Sequence, residues 1–218
     1  MGRFARPPLA RRVMRIEWVT GDAAIPPLAP DGVCVWHGPL DDARALLTRA
    51  ALTAGDLADL ARRPRAAWRA ERRRATRALL AALAGVHPDT IVLARSRFGA
   101  LAVVAPAGWW LSVAGQGAHC AIALARMPIG VDIEPLDQPA LPDDLFTPRE
   151  LHDGGDRLLR WTAKEAHAKR FARADAADPR AIETDLSGEV IRASSGDGAS
   201  RCVSRRAGGS IITVALPA

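Results

Sequence analysis

Pro128-Ile129-Gly130-Val131-Asp132-Ile133-Glu134-Pro135 alternates in period two and carries a proline at each end. That pattern predicts a short strand, with Ile129, Val131 and Ile133 on one face and Gly130, Asp132 and Glu134 on the other. Two carboxylates on one strand face repel unless positive charge lies between them. A hard divalent cation such as Mg2+ supplies that charge, takes oxygen ligands and keeps waters or substrate phosphates in the rest of its shell. Asp132 and Glu134 are therefore candidate metal ligands, although a plain amphipathic strand with a wet face would carry the same residues.

Downstream, Trp161-Thr162-Ala163-Lys164-Glu165-Ala166-His167-Ala168-Lys169 lies in a stretch, Arg157 to Ala172, that has no Gly or Pro and is rich in helix formers. It reads as a helix on which Trp161, Glu165 and Lys169 share one face. Lys164 and Lys169 are the only lysines among the 30 lysines and arginines of the chain. In so arginine-rich a composition, they mark places where a compact ammonium on a flexible stem is wanted. A solvated Glu165–Lys169 pair at i, i+4 would explain those two residues but neither Trp161 nor Lys164.

Gly130-Val-Asp-Ile-Glu134, Leu145-Phe-Thr-Pro-Arg-Glu150 and Trp161-Thr-Ala-Lys-Glu-Ala-His-Ala-Lys169, in this order, resemble the motifs of the 4′-phosphopantetheinyl transferase superfamily. The match is tight over residues 128 to 170, and the length resembles the single-chain, two-half type. The resemblance implies an α+β fold of two similar α/β halves in pseudo-twofold arrangement, with the active site at their interface. It implies Mg2+-dependent transfer of 4′-phosphopantetheine from coenzyme A to a serine of an acyl or peptidyl carrier protein. Asp132, Glu134 and Glu165 would hold the metal, Glu165 would help deprotonate the serine, and Lys164 and Lys169 would face the coenzyme A phosphates or, as catalytic groups, the developing charge. Attack of a hydroxyl on a pyrophosphate, with 3′,5′-ADP leaving, needs this kind of charge neutralisation.

The chain departs from the family pattern at three places. Phe98-Gly-Ala-Leu101 has no lysine where G-K-P is common, Gly115 stands where histidine is expected, and Arg170 to Asp175 replaces a G-x-G-L. Ordinary coenzyme A binding would then need other cations. Residues 62 to 77 hold eight arginines against one glutamate, on a helix expected from Arg65 to Ala84 and closed by Gly85 and Pro88. The resemblance implies arginines on this helix that reach the 3′-phosphate of coenzyme A, and Arg73 and Arg77, with Arg69 extending their face, are the best-placed matches; a solvated charged face is the plainer reading. A relative that has lost transfer and serves as a binding or regulatory protein is the alternative function, and a basic nucleic-acid-binding protein is a third. No groove-reading element supports the third.

A formal charge of +6 hides a net of −7 over residues 131 to 156, so an acidic carrier could meet the basic half. The three cysteines and five histidines show no metal spacing, which points to reduced thiols and a cytoplasmic setting. No apolar run approaches the roughly 18 residues of a membrane span. A monomer is expected, with a basic disordered extension over 1–13, an N-terminal half over 14–126 and a C-terminal half over 127–218. Strands are expected at 31–37, 91–94, 101–105, 109–113, 120–125, 129–134, 189–193, 201–204 and 210–216, and helices at 40–52 and 54–62. The Pro-rich segment after Glu134 is expected to be irregular.

Overall fold

The computed structural model describes residues 14–62, 67–96, 98–173, 176–187 and 190–218. The extension expected over 1–13 and the first two residues of the Arg65 helix lie outside them. In chain order the elements are β1 (Ile16–Val19), β2 (Val33–Pro39), α1 (Arg44–Thr48), α2 (Ala54–Ala61), α3 (Ala67–Ala84), β3 (Val92–Arg95), β4 (Leu101–Ala105), β5 (Trp110–Gln116) and β6 (His119–Ala125). After them come β7 (Gly130–Pro135), α4 (Pro148–Asp153), α5 (Arg157–Arg170), β8 (Glu183–Asp185), β9 (Ile191–Ser195), β10 (Gly198–Ala207) and β11 (Ser210–Pro217). The architecture is α+β, as expected.

One sheet has the order β1-β2-β6-β5, parallel only between β1 and β2, and a second has the order β7-β11-β10-β9-β8 and is antiparallel throughout. β3 and β4 form a separate hairpin. Strand alternation decides how these sheets stack. Cys34, Trp36, Cys120, Ile122 and Leu124 meet Ala75, Ala78, Leu79 and Leu80 of α3. Their neighbours Val33, Val35, Ala121 and Ala123 instead meet Val131, Ile133, Ile212, Val214 and Leu216 of the second sheet. On the far side of that sheet Ala215 and Cys202 pack against Ala163, Ala166 and Ala168 of α5. The layers therefore run α3, first sheet, second sheet, α5, and each fully buried Leu, Ile or Val stabilises them by about 1.5–3 kcal/mol.

Between β6 and β7 the chain crosses from one sheet to the other. Across the junction the Val131 N–H donates to the Ser112 hydroxyl at 2.9 Å. α3 ends where expected: Gly85 takes φ 66°, and the Val86 N–H returns to the Ala81 carbonyl at 3.1 Å. That left-handed cap suits glycine.

The segment expected to be irregular contains a helix. Thr147 caps α4 by accepting from the Glu150 N–H at 3.2 Å, while Glu150 accepts from the Thr147 N–H at 2.8 Å, with Pro148 opening the helix. Thr-Pro-Arg-Glu is a capping box written in the sequence, with proline where its missing N–H costs nothing. The helix expected over 40–52 is instead a single 3-10 turn followed by α1, which ends at Thr48. Strands β1 and β8 are too short to show an alternation.

Candidate active site

Gly130 decides where α5 sits. A Cβ at this position would stand 1.9 Å from the Ala166 carbonyl oxygen and 2.5 Å from the Arg170 nitrogen. The helix backbone therefore lies directly on the bare strand, and the face expected for Trp161, Glu165 and Lys169 falls over Asp132 and Glu134. Trp161 Nε1 donates to Glu134 Oε1 at 3.1 Å, Lys169 Nζ donates to Asp132 Oδ1 at 2.5 Å, and Lys169 Nζ lies 3.9 Å from Glu165. From the first sheet, Gln116 Nε2 donates to Glu134 Oε2 at 2.9 Å. Gln116 escaped the sequence reading because only the sheet stacking brings β5 to β7.

Burial first, and then the charge of Asp132, raise the pKa of Glu134, against the pull of Gln116, Trp161 and Lys169. Burial would lower Lys169, but the charge and hydrogen bond of Asp132 outweigh it and hold the ammonium above its ordinary value. Asp132 Oδ2 is buried with no hydrogen-bond partner. Among the described residues no three His, Cys, Asp or Glu side chains form a ready metal cluster, and the Lys169 ammonium lies against both Asp132 and Glu165. The donor set still fits a hard cation: the groups are carboxylates, one buried oxygen is orphaned, and Asp132 and Glu134 repel one another.

Lys164 has a different place from the one its motif suggests. It is 1% exposed, donates to the Leu145 and Pro179 carbonyls at 3.0 and 2.9 Å, and pairs with Glu150 at 2.6 Å. Glu150 also accepts from the Thr184 N–H at 2.8 Å and from the Thr184 hydroxyl. The ammonium expected at the coenzyme A phosphates thus ties α5 to α4 and β8, because it lies off the Trp161 face and points into the domain.

Arg73 and Arg77 are likewise held inside the fold. Arg73 donates to Asp56 at 3.1 Å and Asp59 at 2.6 Å, and Arg77 to Asp56 at 2.6 Å and the Ile91 carbonyl at 2.7 Å. Two carboxylates on one face of α2 pair with both arginines. Arg77→Ala is expected to destabilise the protein by about 2–3 kcal/mol, since it removes charged hydrogen bonds but leaves Arg73 on Asp56. Urea unfolding at neutral pH measures this, and wild-type stability would contradict it.

Beside Lys169 opens a cavity of about 250 Å³, lined among others by Arg69, Arg72, Arg73, Arg95, Phe98 and Ser112. It joins α3, the β3–β4 hairpin and β5 to Lys169, which in turn contacts Asp132 and Glu165. Arg69 lines it as expected, and Arg73 does so while bound to its aspartates. Arg72, which the sequence reading passed over, also lines it. Its guanidinium would meet a Cβ at Gly115 at 2.5 Å, in the space where the family pattern expects histidine.

Residues 128–214 match the family model described as the 4′-phosphopantetheinyl transferase superfamily. This segment is a domain of that superfamily. The match takes in β7, α4, α5 and all three motifs. It supports a transferase of phosphopantetheine at the level of the superfamily. No curated protein matches the chain.

Outside the site, His167 sits between Ser200 and Ser195 at 2.8 and 2.9 Å, and burial followed by the charge of Arg170 lowers its pKa to about 4. Cys34, Cys120 and Cys202 are buried and free, with burial pushing each thiol up to about 12. Such thiols are inert at neutral pH. Among the described residues no helix is long and apolar enough to cross a membrane.

Proposed function

We propose that the protein transfers the 4′-phosphopantetheine arm of coenzyme A to a serine hydroxyl of a carrier protein, with Mg2+. The observation that supports this most is the Asp132–Lys169–Glu165 contact opening onto a cation-lined cavity. The serine oxygen attacks the phosphorus that bears the pantetheine arm, the bond to the other phosphate breaks, and 3′,5′-ADP leaves. Glu165 takes the serine proton, and Lys169 faces the charge that develops on the transferring oxygens. Asp132, Glu134 and Glu165 would hold the metal, which when bound neutralises the pyrophosphate charge. Lys164 takes no direct part.

Incubation with Mg2+, coenzyme A and a panel of apo carrier proteins is expected to add phosphopantetheine to a serine, read by mass spectrometry. A chelator should abolish the added mass, and Asp132→Asn should slow its appearance by about a hundredfold or more. If no carrier gains mass and coenzyme A does not bind, transfer is wrong and a binding or regulatory role on the same fold replaces it.

A further inference from the structure

The cations around the cavity fall into two groups. Arg73 is matched by Asp56 and Asp59, Arg95 by Asp59, and Lys169 by Asp132. Among the described residues no carboxylate pairs with Arg69 or Arg72. Arg72 is half-buried, its Nη2 donates to the Gly117 carbonyl at 2.6 Å, and its Nε is buried with no acceptor. Burial, with the positive charge of Arg69 adding to it, lowers its pKa. A partly buried guanidinium next to a second cation, with an unused donor and no acid, is costly unless an anion is to complete it.

Gly115 explains how that guanidinium is seated. The three atoms nearest a Cβ built there are Cζ, Nη2 and Nε of Arg72, at 2.5, 2.6 and 2.7 Å. The planar group therefore lies across the bare backbone of β5, and a side chain at 115 and the guanidinium exclude one another. The next residue, Gln116, holds Glu134, so the seat borders the carboxylates of the candidate site.

We infer that Arg72, seated over Gly115, binds a phosphate group of the ligand in this cavity, and that position 115 is glycine to make room for it. This rests on the coenzyme A reading above. The arginine fork supplies two parallel donors to a phosphate, which a histidine at 115 would not. Arg73 and Arg77, the arginines that family resemblance favoured, have their donors committed to carboxylates and carbonyls.

The test is calorimetric titration of 3′,5′-ADP and, separately, adenosine, with thermal melting of each variant. Arg72→Ala is expected to weaken 3′,5′-ADP by tenfold or more and to leave adenosine unchanged. Gly115→Ala, which keeps every charge but displaces the guanidinium, is expected to weaken 3′,5′-ADP in the same direction. Because Arg72 has no ion-pair partner among the described residues, Arg72→Ala should melt at or above the wild-type temperature, whereas a purely structural role requires a lower one. Unchanged 3′,5′-ADP affinity in Arg72→Ala, or an equal loss for adenosine, overturns the inference while leaving the coenzyme A reading standing. A wild-type protein that binds neither 3′,5′-ADP nor coenzyme A overturns both.

Discussion

Lys164→Ala is expected to destabilise the protein by about 3–5 kcal/mol, the usual cost of removing one partner of a buried pair. Its ammonium is 1% exposed and joins Glu150 to two backbone carbonyls. Without it, Glu150 keeps Thr147 and Thr184 but loses its one ion-pair partner among the described residues. Against the roughly 5–15 kcal/mol of a whole domain, that loss removes much of the folded population's margin. The effect should appear as a lower urea midpoint at unchanged slope. It should also alter the acid limb of stability. Burial would raise Glu150, but the Lys164, Thr184 and Thr147 hydrogen bonds overturn this and depress its pKa. A depressed carboxyl contributes stability above its unfolded value and loses it as pH falls through the folded one. In Lys164→Ala that acid-side loss should shrink, and an unaltered pH profile would show that the pair does not carry it.

Gly130→Ala should damage both the fold and the chemistry. The added methyl meets backbone atoms, the Ala166 carbonyl at 1.9 Å and the Arg170 nitrogen at 2.5 Å, so no rotamer change can relieve it. α5 must move away from β7. Overpacking of this kind costs about 1–3 kcal/mol or more. The same displacement carries Glu165 and Lys169 off Asp132, and misplacement of about 1 Å can cost on the order of a hundredfold in rate. A variant that melts somewhat lower, yet folds and has lost carrier loading, matches this expectation. Wild-type loading would mean that the strand-to-helix contact does not set the site.

Much of this was legible where the relevant neighbours are close in sequence. The period-two run ending at Glu134 and the four-residue recurrence of Trp161, Glu165 and Lys169 each identified a face, and those two faces meet. The capping box from Thr147 to Glu150 was equally local, yet the prolines around it suggested an irregular segment. What local pattern cannot tell is which of two attractive partners a cation finds. Arg73 and Arg77 were read toward an external phosphate, but Asp56 and Asp59 lie within reach on a neighbouring helix. Lys164 was read with Lys169 because both are lysines, although they lie on different faces of α5. In the sequence Arg72 is one more member of a charge run, and only the fold puts Gly115 beneath it.

The face-to-face packing of the two sheets also bears on how the chain can come apart. Val33, Val35, Ala121 and Ala123 have their apolar partners in Val131, Ile133, Val214 and Leu216, so neither half closes its own interior. A fragment ending at Ala125, or one beginning after it, would present a broad oily strand surface to water and seek another molecule to cover it. The segment that matches the superfamily model is thus expected to unfold together with the first sheet and not by itself.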